Sequence, residues 1–284
     1  MPSSSLRRRS IGRSKAEHGA VRRYHLAVTD DAHPVDRLWP DPALDLTLDA
    51  AMAGFSLPEP PAGRPLVAIN MVTSIDGRAQ LRGSAEGLGS RADRRLMRLY
   101  RAAFDAVGSG AGTLRATGIW LRVGDDLAAR RLAEGRPANP TGVVIAGTEP
   151  VPTDGGWFQG DEPRLLFVGR DNPTTDAPDG TDLLRAPDER PDPTWVLARL
   201  AERGIRSFLL EGGPNVNAGF LREGLIDEVY WTVGAHLLGT DALRMVAPIP
   251  GGSPYEADPR RGRLVSVLRH EEELFLRYRF DAAG

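Results

Sequence analysis

The sequence predicts an α/β fold in which a mostly parallel β-sheet is covered on both faces by helices. Short apolar runs typical of buried strands alternate with helical patterns over residues 66–233. This alternation is characteristic of parallel strands joined by crossover helices. Two further strand patterns, at 264–269 and 273–280, are close enough in sequence to pair as an antiparallel hairpin. The predicted architecture is therefore three layers, α/β/α, with an antiparallel C-terminal hairpin.

Each element has its own local signal. The apolar run 66–71 predicts the first buried strand. Ser90 and Asp93 have the spacing of a helix cap, so a helix is expected to begin at Ser90. Apolar residues at helical spacing predict further helices at 195–203 and 217–223. The remaining strands are predicted at 105–107, 142–146, 164–168, 207–210 and 228–233.

Three regions are expected along the chain. Residues 1–20 are rich in Ser and Arg and have no apolar face, which is typical of a disordered basic tail. Residues 21–65 contain many prolines and one short helix candidate, at 44–53, and predict an irregular N-terminal extension. Residues 66–284 carry the alternating pattern and form the main domain. The Pro- and Asp-rich stretch 171–193 is interpreted as a solvated linker.

Composition excludes several kinds of site. The chain has no cysteine, which excludes disulfides, thiolate metal sites and a cysteine nucleophile. Its five histidines are not at metal-ligand spacing, so no metal site is predicted. The formal net charge of −2 indicates no general attraction to nucleic acid. Since no apolar stretch approaches the roughly 20 residues that span a bilayer, we expect a cytoplasmic protein without a membrane partner.

Two glycine-rich loops each follow a buried strand and precede a helix. The first, 108–113, leaves backbone amides open to a phosphate and adds the hydroxyl of Thr113. The second, 212–217, places Pro214 where the first residue of a helix is expected. Tight strand-to-helix packing is the alternative explanation for either loop alone. Two such loops in one sheet favour a ligand with two phosphates or one pyrophosphate.

Two carboxylates lie at the ends of predicted strands. Asp76 follows the first strand and Glu211 follows the strand at 207–210. Ligands of open α/β sheets bind at the carboxyl ends of the strands, which makes both residues candidates for a site. The alternative is a turn-forming role, which is common for an Asp-Gly pair such as Asp76-Gly77.

These pieces together resemble the reductase domain of bifunctional riboflavin-biosynthesis proteins, the pyrimidine reductase family. The resemblance covers about residues 66–281. Within the family, the chain is similar above all to stand-alone actinobacterial members that have no deaminase domain. The segments that carry it are Ser74–Arg78, Asp105–Arg115, Glu211–Pro214, Gly224–Glu228 and Leu237–Gly239.

The resemblance implies a dihydrofolate-reductase-like fold and makes residues 66–284 an NADPH-dependent reductase domain. The implied activity is that of a 5-amino-6-(5-phosphoribosylamino)uracil reductase, in which hydride reaches the sugar C1′ of a ring-opened imine. A homodimer is expected, because the family resemblance implies one and the C-terminal hairpin offers a sheet edge for pairing.

The resemblance also implies roles for individual residues. Asp76 is expected to be catalytic, beside the nicotinamide and the substrate. Thr148 is expected near the adenosine ribose and its 2′-phosphate. The other expected cofactor-binding residues are Gly110, Gly112, Thr113, Gly213, Pro214, Asn215, Val216, Asn217 and Gly219. The expected substrate-binding residues are Ser74, Arg101, Arg122 and Glu211.

Two segments depart from the family pattern. Gly87-Leu88-Gly89 stands where full-length members have Trp-Ile-Ser/Thr, and Thr117-Gly118-Ile119 stands where they have Asp-Asn/Asp-Pro. Both segments touch cofactor or substrate in the family, so the identity of the heterocycle stays open. The alternatives are reduction of dihydrofolate, another pterin or a specialised-metabolite heterocycle, and a non-catalytic nucleotide-binding protein of the same fold.

Overall fold

The computed structural model describes residues 33–118 and 121–281, so the tail at 1–20 and Ile119 lie outside the described residues. Within that part of the chain, eleven strands form one sheet. They are β1 (Val35–Trp39), β2 (Ala43–Leu46), β3 (Leu66–Thr73), β4 (Ala106–Gly110), β5 (Thr141–Ala146), β6 (Arg164–Val168), β7 (Thr181–Arg185), β8 (Ser207–Leu210), β9 (Glu228–Val233), β10 (Gly262–His270) and β11 (Glu273–Phe280). Their order across the sheet is β2-β1-β10-β11-β9-β3-β8-β4-β5-β6-β7.

The sheet is parallel over most of its width. From β9 to β7 in the sheet order, every neighbouring pair of strands is parallel. Strands β10 and β11 form an antiparallel hairpin, and β11 joins β9 antiparallel. The predicted mostly parallel sheet with an antiparallel C-terminal hairpin is therefore confirmed.

Helices cover both faces of the sheet. They are α1 (Leu48–Ala51), α2 (Arg91–Ala103), α3 (Ala111–Thr117), α4 (Asp125–Ala133), α5 (Pro193–Ala201) and α6 (Pro214–Arg222). Helix α2 begins as predicted, because the Ser90 Oγ accepts a hydrogen bond from the Asp93 backbone N–H at 3.2 Å. Pro193 and Pro214 begin α5 and α6, where the missing proline N–H costs no helical bond.

The apolar core is divided by the sheet into two layers. Along β3, Leu66 and Ala68 pack with α2, α3 and α4 on one face, whereas Val67 and Ile69 pack with α5 and α6 on the other. This follows from the strand geometry, in which successive side chains point to opposite faces. The predicted three-layer arrangement is confirmed. No helix in the described part of the chain is long and apolar enough to pass through a membrane.

The N-terminal extension was predicted to be irregular. Between residues 35 and 46 it instead forms the hairpin of β1 and β2. Strand β1 pairs antiparallel with β10, and β2 pairs with β1. The strands have five and four residues, too few for a clear alternating pattern, and the prolines Pro40 and Pro42 fall in the turn between them.

The sheet edges also differ from those expected. Because β1 covers β10, the C-terminal hairpin leaves no free edge for pairing, and β2 and β7 are the outer strands of the described sheet. Strand β7 lies in the segment 171–193 that was interpreted as a solvated linker. The homodimer stays a prediction, without the hairpin edge that was its physical argument.

Candidate active site

A cavity of about 1380 Å³ opens at the carboxyl ends of the central parallel strands. Its wall includes Met71 from β3, Gly110 from β4 and Ala146 from β5, together with Glu211 directly after β8. The cavity therefore lies where open α/β sheets bind their ligands. Its volume exceeds that of ordinary small-molecule pockets, which are about 300–1,000 Å³, so it has room for two ligands or one long ligand.

The two glycine loops meet in this cavity. The Gly110 backbone N–H donates to the Gly212 carbonyl oxygen at 2.8 Å. Gly110 precedes α3 and Gly213 precedes α6, and neither helix start has a side-chain cap. The backbone N–H groups of Ala111 and Gly112 in α3 and of Asn215 in α6 are therefore left for a ligand, and the helix dipoles favour an anion there.

At some of these positions glycine is required because a side chain would clash with its neighbours. At others it only keeps the backbone accessible to a ligand. A Cβ on Gly110 would lie 2.8 Å from the Val216 side chain, and one on Gly108 would lie 2.6 Å from the Phe208 ring. Packing alone explains Gly108, which is part of β4. A Cβ on Gly112 would meet nothing within 4 Å. Since Gly112 lines the cavity, its bare Cα leaves that side of the wall accessible to a ligand.

Arg101 and Glu211 form a buried ion pair in the cavity wall. The Arg101 guanidinium donates from Nε to Glu211 Oε1 at 2.7 Å and from Nη2 to Oε2 at 2.6 Å. Both side chains are largely buried, with 6% and 9% of their surface exposed. A bidentate Arg–carboxylate pair has a fixed orientation, so Glu211 presents its remaining lone pairs to the cavity in a defined direction.

Most predicted site residues are brought together. Thr148 lines the cavity beside Asp188 and Arg190, on the side formed by β5 and the start of α5. The predicted site residues that line the cavity are Arg101, Gly110, Gly112, Thr113, Thr148, Glu211, Gly213, Pro214, Asn215, Val216 and Gly219.

Ser74 and Asp76 are not among the residues of the cavity wall, and their predicted contacts with the nicotinamide and the substrate stay predictions. Asp76 accepts hydrogen bonds from the Ser74 hydroxyl at 2.7 Å and from the backbone N–H groups of Leu238 and Gly239 at 3.1 and 2.8 Å. These bonds hold the pKa of the Asp76 carboxyl well below its usual range. A carboxylate of this kind is a poor proton carrier, and its geometry is that of an anchor for the loop at 236–239.

Arg122 and Asn217 are also not among the residues of the cavity wall, and their predicted ligand contacts stay predictions. The Arg122 guanidinium pairs with Glu162, with Nε 2.9 Å from Oε2. Asn217 is fully buried within α6 and donates from Nδ2 to the Met245 carbonyl oxygen at 2.8 Å.

Sequence reasoning missed Asp93 as a site residue, although it lines the cavity with Met97 and Arg101. These three residues are spaced by four along α2 and therefore share one face of the helix. Burial raises the pKa of Asp93 to about 7; a hydrogen bond from Thr232 lowers that pKa, and the nearby charge of Glu273 raises it. The spacing of eight residues, about two helical turns, between Asp93 and Arg101 was the available signal, but the Ser90–Asp93 spacing explained Asp93 as a cap residue.

The two departures from the family pattern differ in how far the structure describes them. In the first, Leu88 is buried, and the backbone of Gly89 lies close to the Asp93 carboxyl. In the second, Gly118 ends α3 in the left-handed region, with φ of 60°, and Ile119 lies outside the described residues.

Comparison with known proteins agrees with this geometry. The family model of the RibD C-terminal domain matches residues 65–269. A 2,5-diamino-6-ribosylamino-4(3H)-pyrimidinone 5′-phosphate reductase from Archaeoglobus fulgidus is 28% identical over 186 residues, which are 62% of this chain and 83% of that protein. The riboflavin biosynthesis protein RibD of Mycobacterium tuberculosis is 32% identical over 180 residues, but the match covers only 44% of its length.

Solved structures show the same fold. A pyrimidine reductase-like protein from Corynebacterium diphtheriae superposes with a TM-score of 0.66 at 20% identity, covering 77% of this chain and 93% of that one. The family match spans β3 to most of β10 and so includes both glycine loops and the Arg101–Glu211 pair. The chain belongs to the RibD C-terminal domain family.

Proposed function

We propose that this chain is an NADPH-dependent reductase that acts on a phosphorylated ribosylaminopyrimidine of the 5-amino-6-(5-phosphoribosylamino)uracil type. The observation that carries the proposal is one cavity whose wall combines two kinds of group. The wall contains glycine loops with open helix starts, and it also contains the buried Arg101–Glu211 pair. The relatives are reductases by name, which supports reduction as the class of chemistry.

The part of the cavity wall that is formed by the two glycine loops fits the pyrophosphate of a dinucleotide. The backbone N–H groups of Ala111, Gly112 and Asn215 are the ones we propose for phosphate oxygens, because both helix starts lack a side-chain cap. A Cβ on Gly112 would project into open space in the cavity, and this is where a phosphate approaching the backbone needs room. Bound here, the dinucleotide would supply hydride, with Thr148 and Arg190 beside its adenosine half.

The part of the cavity wall that is formed by the Arg101–Glu211 pair fits a pyrimidine. Each Glu211 oxygen accepts one bond from Arg101 and keeps lone pairs that suit the N–H groups of an aminopyrimidine edge. Arg101 in turn donates from Nη1 to the Arg122 carbonyl oxygen at 3.1 Å. Arg101 therefore acts mainly by orienting Glu211, and Glu211 is the residue that we propose contacts the substrate.

Thermal unfolding with dinucleotides tests the cofactor. A ligand that binds the folded state alone stabilises it by mass action, so NADPH at about 100 times its dissociation constant should add about 2.7 kcal/mol. NADPH should raise the Tm at lower concentration than NADH. No shift with millimolar NADPH contradicts dinucleotide binding altogether.

Turnover measurements test the substrate. Oxidation of NADPH is followed with the phosphoribosylaminopyrimidine and, separately, with dihydrofolate. The proposal requires faster turnover of the pyrimidine. Preference for dihydrofolate supports a pterin reductase, and binding of NADPH without turnover of either compound supports a non-catalytic nucleotide-binding protein.

A further inference from the structure

The carboxyl group of Asp93 lines the same cavity as the Arg101–Glu211 pair. Asp93 is the third residue of α2, and it lies one and two helical turns before Met97 and Arg101 on the cavity-facing side. Its backbone N–H is bound by the Ser90 hydroxyl, so the start of the helix is already capped by another residue. The Asp93 carboxyl is therefore not needed as the cap.

The backbone at Gly89 makes room for this carboxyl. A Cβ on Gly89 would lie 2.2 Å from Asp93 Oδ2 and 2.7 Å from Asp93 Cγ, far inside van der Waals contact. The carboxyl thus occupies the space that any side chain at position 89 would take. Glycine at position 89 leaves room for the observed Asp93 rotamer, and a larger residue there must displace the carboxyl.

Burial, together with the balance of the groups around Asp93, favours the neutral form of its carboxyl. Glu211 in the cavity wall and Glu273 on β11 contribute negative charge, and Arg94 contributes positive charge. Thr232 on β9 hydrogen-bonds to the carboxyl. The Arg101 guanidinium is engaged by both oxygens of Glu211. Burial in this setting raises the pKa of Asp93 to about 7, so the acid keeps its proton at a pH where ordinary aspartates are ionised.

We propose that Asp93 is the proton donor of the cavity, which hydrogen-bonds to the nitrogen of a substrate C=N bond and protonates it during reduction. The inference rests on the proposed function. The Asp93 O–H bond breaks and an N–H bond forms at nitrogen, while the reduced nicotinamide dinucleotide, which is oxidised, delivers hydride to the carbon. The carboxylate that remains takes a proton from water. Two carboxyls then have separate roles, Glu211 as a charged acceptor and Asp93 as a neutral donor.

The protonation state is tested without any turnover. Carboxyl carbons of aspartate-labelled protein are titrated by ¹³C NMR in the wild type and in Asp93→Asn. The wild type should show one aspartyl carboxyl with a midpoint near pH 7 that is missing from the variant. Asp125→Asn is the matched control, because Asp125 is an exposed aspartate in the first turn of α4 and lies outside the cavity wall. That control should keep the same signal.

Kinetics test the donor role. Asp93→Asn should lower kcat by about 10²-fold or more, the usual contribution of a positioned acid. It should leave the dissociation constant for NADPH unchanged and abolish the fall in kcat above pH 7 that we expect of the wild type. Gly89→Ala is the second variant: it keeps the acid but displaces the carboxyl, and it should lower kcat with little change in Tm.

Each result decides between the two proposals. An Asp93 carboxyl that titrates near pH 4 overturns the inference, as does a kcat of Asp93→Asn within twofold of wild type. Both results leave the reductase proposal intact. A wild-type protein that has the midpoint near pH 7 but reduces no C=N substrate contradicts the proposed function, and the donor role fails with it.

Discussion

The Gly110 N–H and the Gly212 carbonyl oxygen are joined by a 2.8 Å hydrogen bond that holds the two glycine loops side by side. Through this bond the start of α3 and the start of α6 face one region of the cavity. A single bond between two loops that are about a hundred residues apart in sequence thus creates a place where amides from two helices can bind the same anion.

Gly213→Ala tests the pyrophosphate position. The φ angle of Gly213 is −73°, which an alanine adopts without strain, and its Cβ would lie 3.2 Å from the Thr113 hydroxyl. The added methyl should push a phosphate away from amides whose bonds to a charged acceptor are each worth about 1.5–3 kcal/mol. We expect the KM for NADPH to rise about tenfold, with little change in the KM for the pyrimidine.

Gly155→Ala is the control for this substitution. Gly155 has a φ of −75°, and a Cβ there would meet nothing within 4 Å. Its Tm and both KM values should match the wild type. Equal increases in both KM values for Gly213→Ala, or a lower Tm of the unliganded variant with normal kinetics, would mean that this loop serves packing and does not bind the cofactor.

Variants of the Arg101–Glu211 pair should show that its contribution to folding stability can be separated from its contribution to turnover. Glu211→Ala leaves the buried Arg101 guanidinium unpaired and should destabilise the fold by about 3–5 kcal/mol, the range for broken buried pairs. The double variant Arg101→Met/Glu211→Leu removes both charges and should recover most of that loss in urea denaturation. Turnover should be absent from both proteins. A double variant that is active would show that Glu211 does not contact the substrate.

Local sequence patterns predicted the parts of the site that depend on a single strand and the turn after it. A buried run, then glycines, then a helix start is a local arrangement, so both loops were predicted from the residues themselves. Arg101 and Glu211 are 110 positions apart, and no local pattern connects them. Only the family resemblance placed them at one site.

The features that local patterns did not predict share one physical cause, which is that they depend on residues far away in the sequence. Asp76 lies at the end of β3 as expected, but its carboxyl is used by backbone amides at 238 and 239, some 160 residues later. The hairpin of β1 and β2 is likewise stable only because β10 lies beside it. Asp93 went unnoticed because its role depends on the missing side chain of Gly89 and on burial by β9 and β11.

Asp76→Asn tests the anchoring role. The folded-state pKa of this carboxyl is depressed, so its contribution to stability is present above the unfolded pKa of about 3.8 and is lost as the pH falls further. The variant should therefore have a lower Tm than wild type at pH 7, and the difference should shrink at pH 3. A variant with wild-type Tm at pH 7 and reduced turnover would instead return Asp76 to the chemistry.

The last prediction concerns the N-terminal hairpin. A chain that begins at Val21 lacks the basic tail and should keep the Tm and activity of the full chain, as the composition of residues 1–20 predicts. A chain that begins at Thr47 also lacks β1 and β2. It loses the buried Val35 side chain, the 2.8 Å contact between the Pro34 carbonyl oxygen and His270 Nδ1, and the 2.5 Å ion pair between Asp36 and Arg269.

Loss of the hairpin also exposes the backbone N–H and C=O groups along β10, which β1 pairs with in the intact fold. Burial of a side chain such as Val35 is worth about 1.5–3 kcal/mol, and an uncovered edge strand is a template for pairing with another chain. We expect the chain beginning at Thr47 to unfold at lower urea concentration than the one beginning at Val21. In sedimentation velocity it should form larger species as its concentration rises, whereas the longer chain should not. If the two chains have equal stability and equal sedimentation, the hairpin is an appendage and β10 alone suffices as the sheet edge.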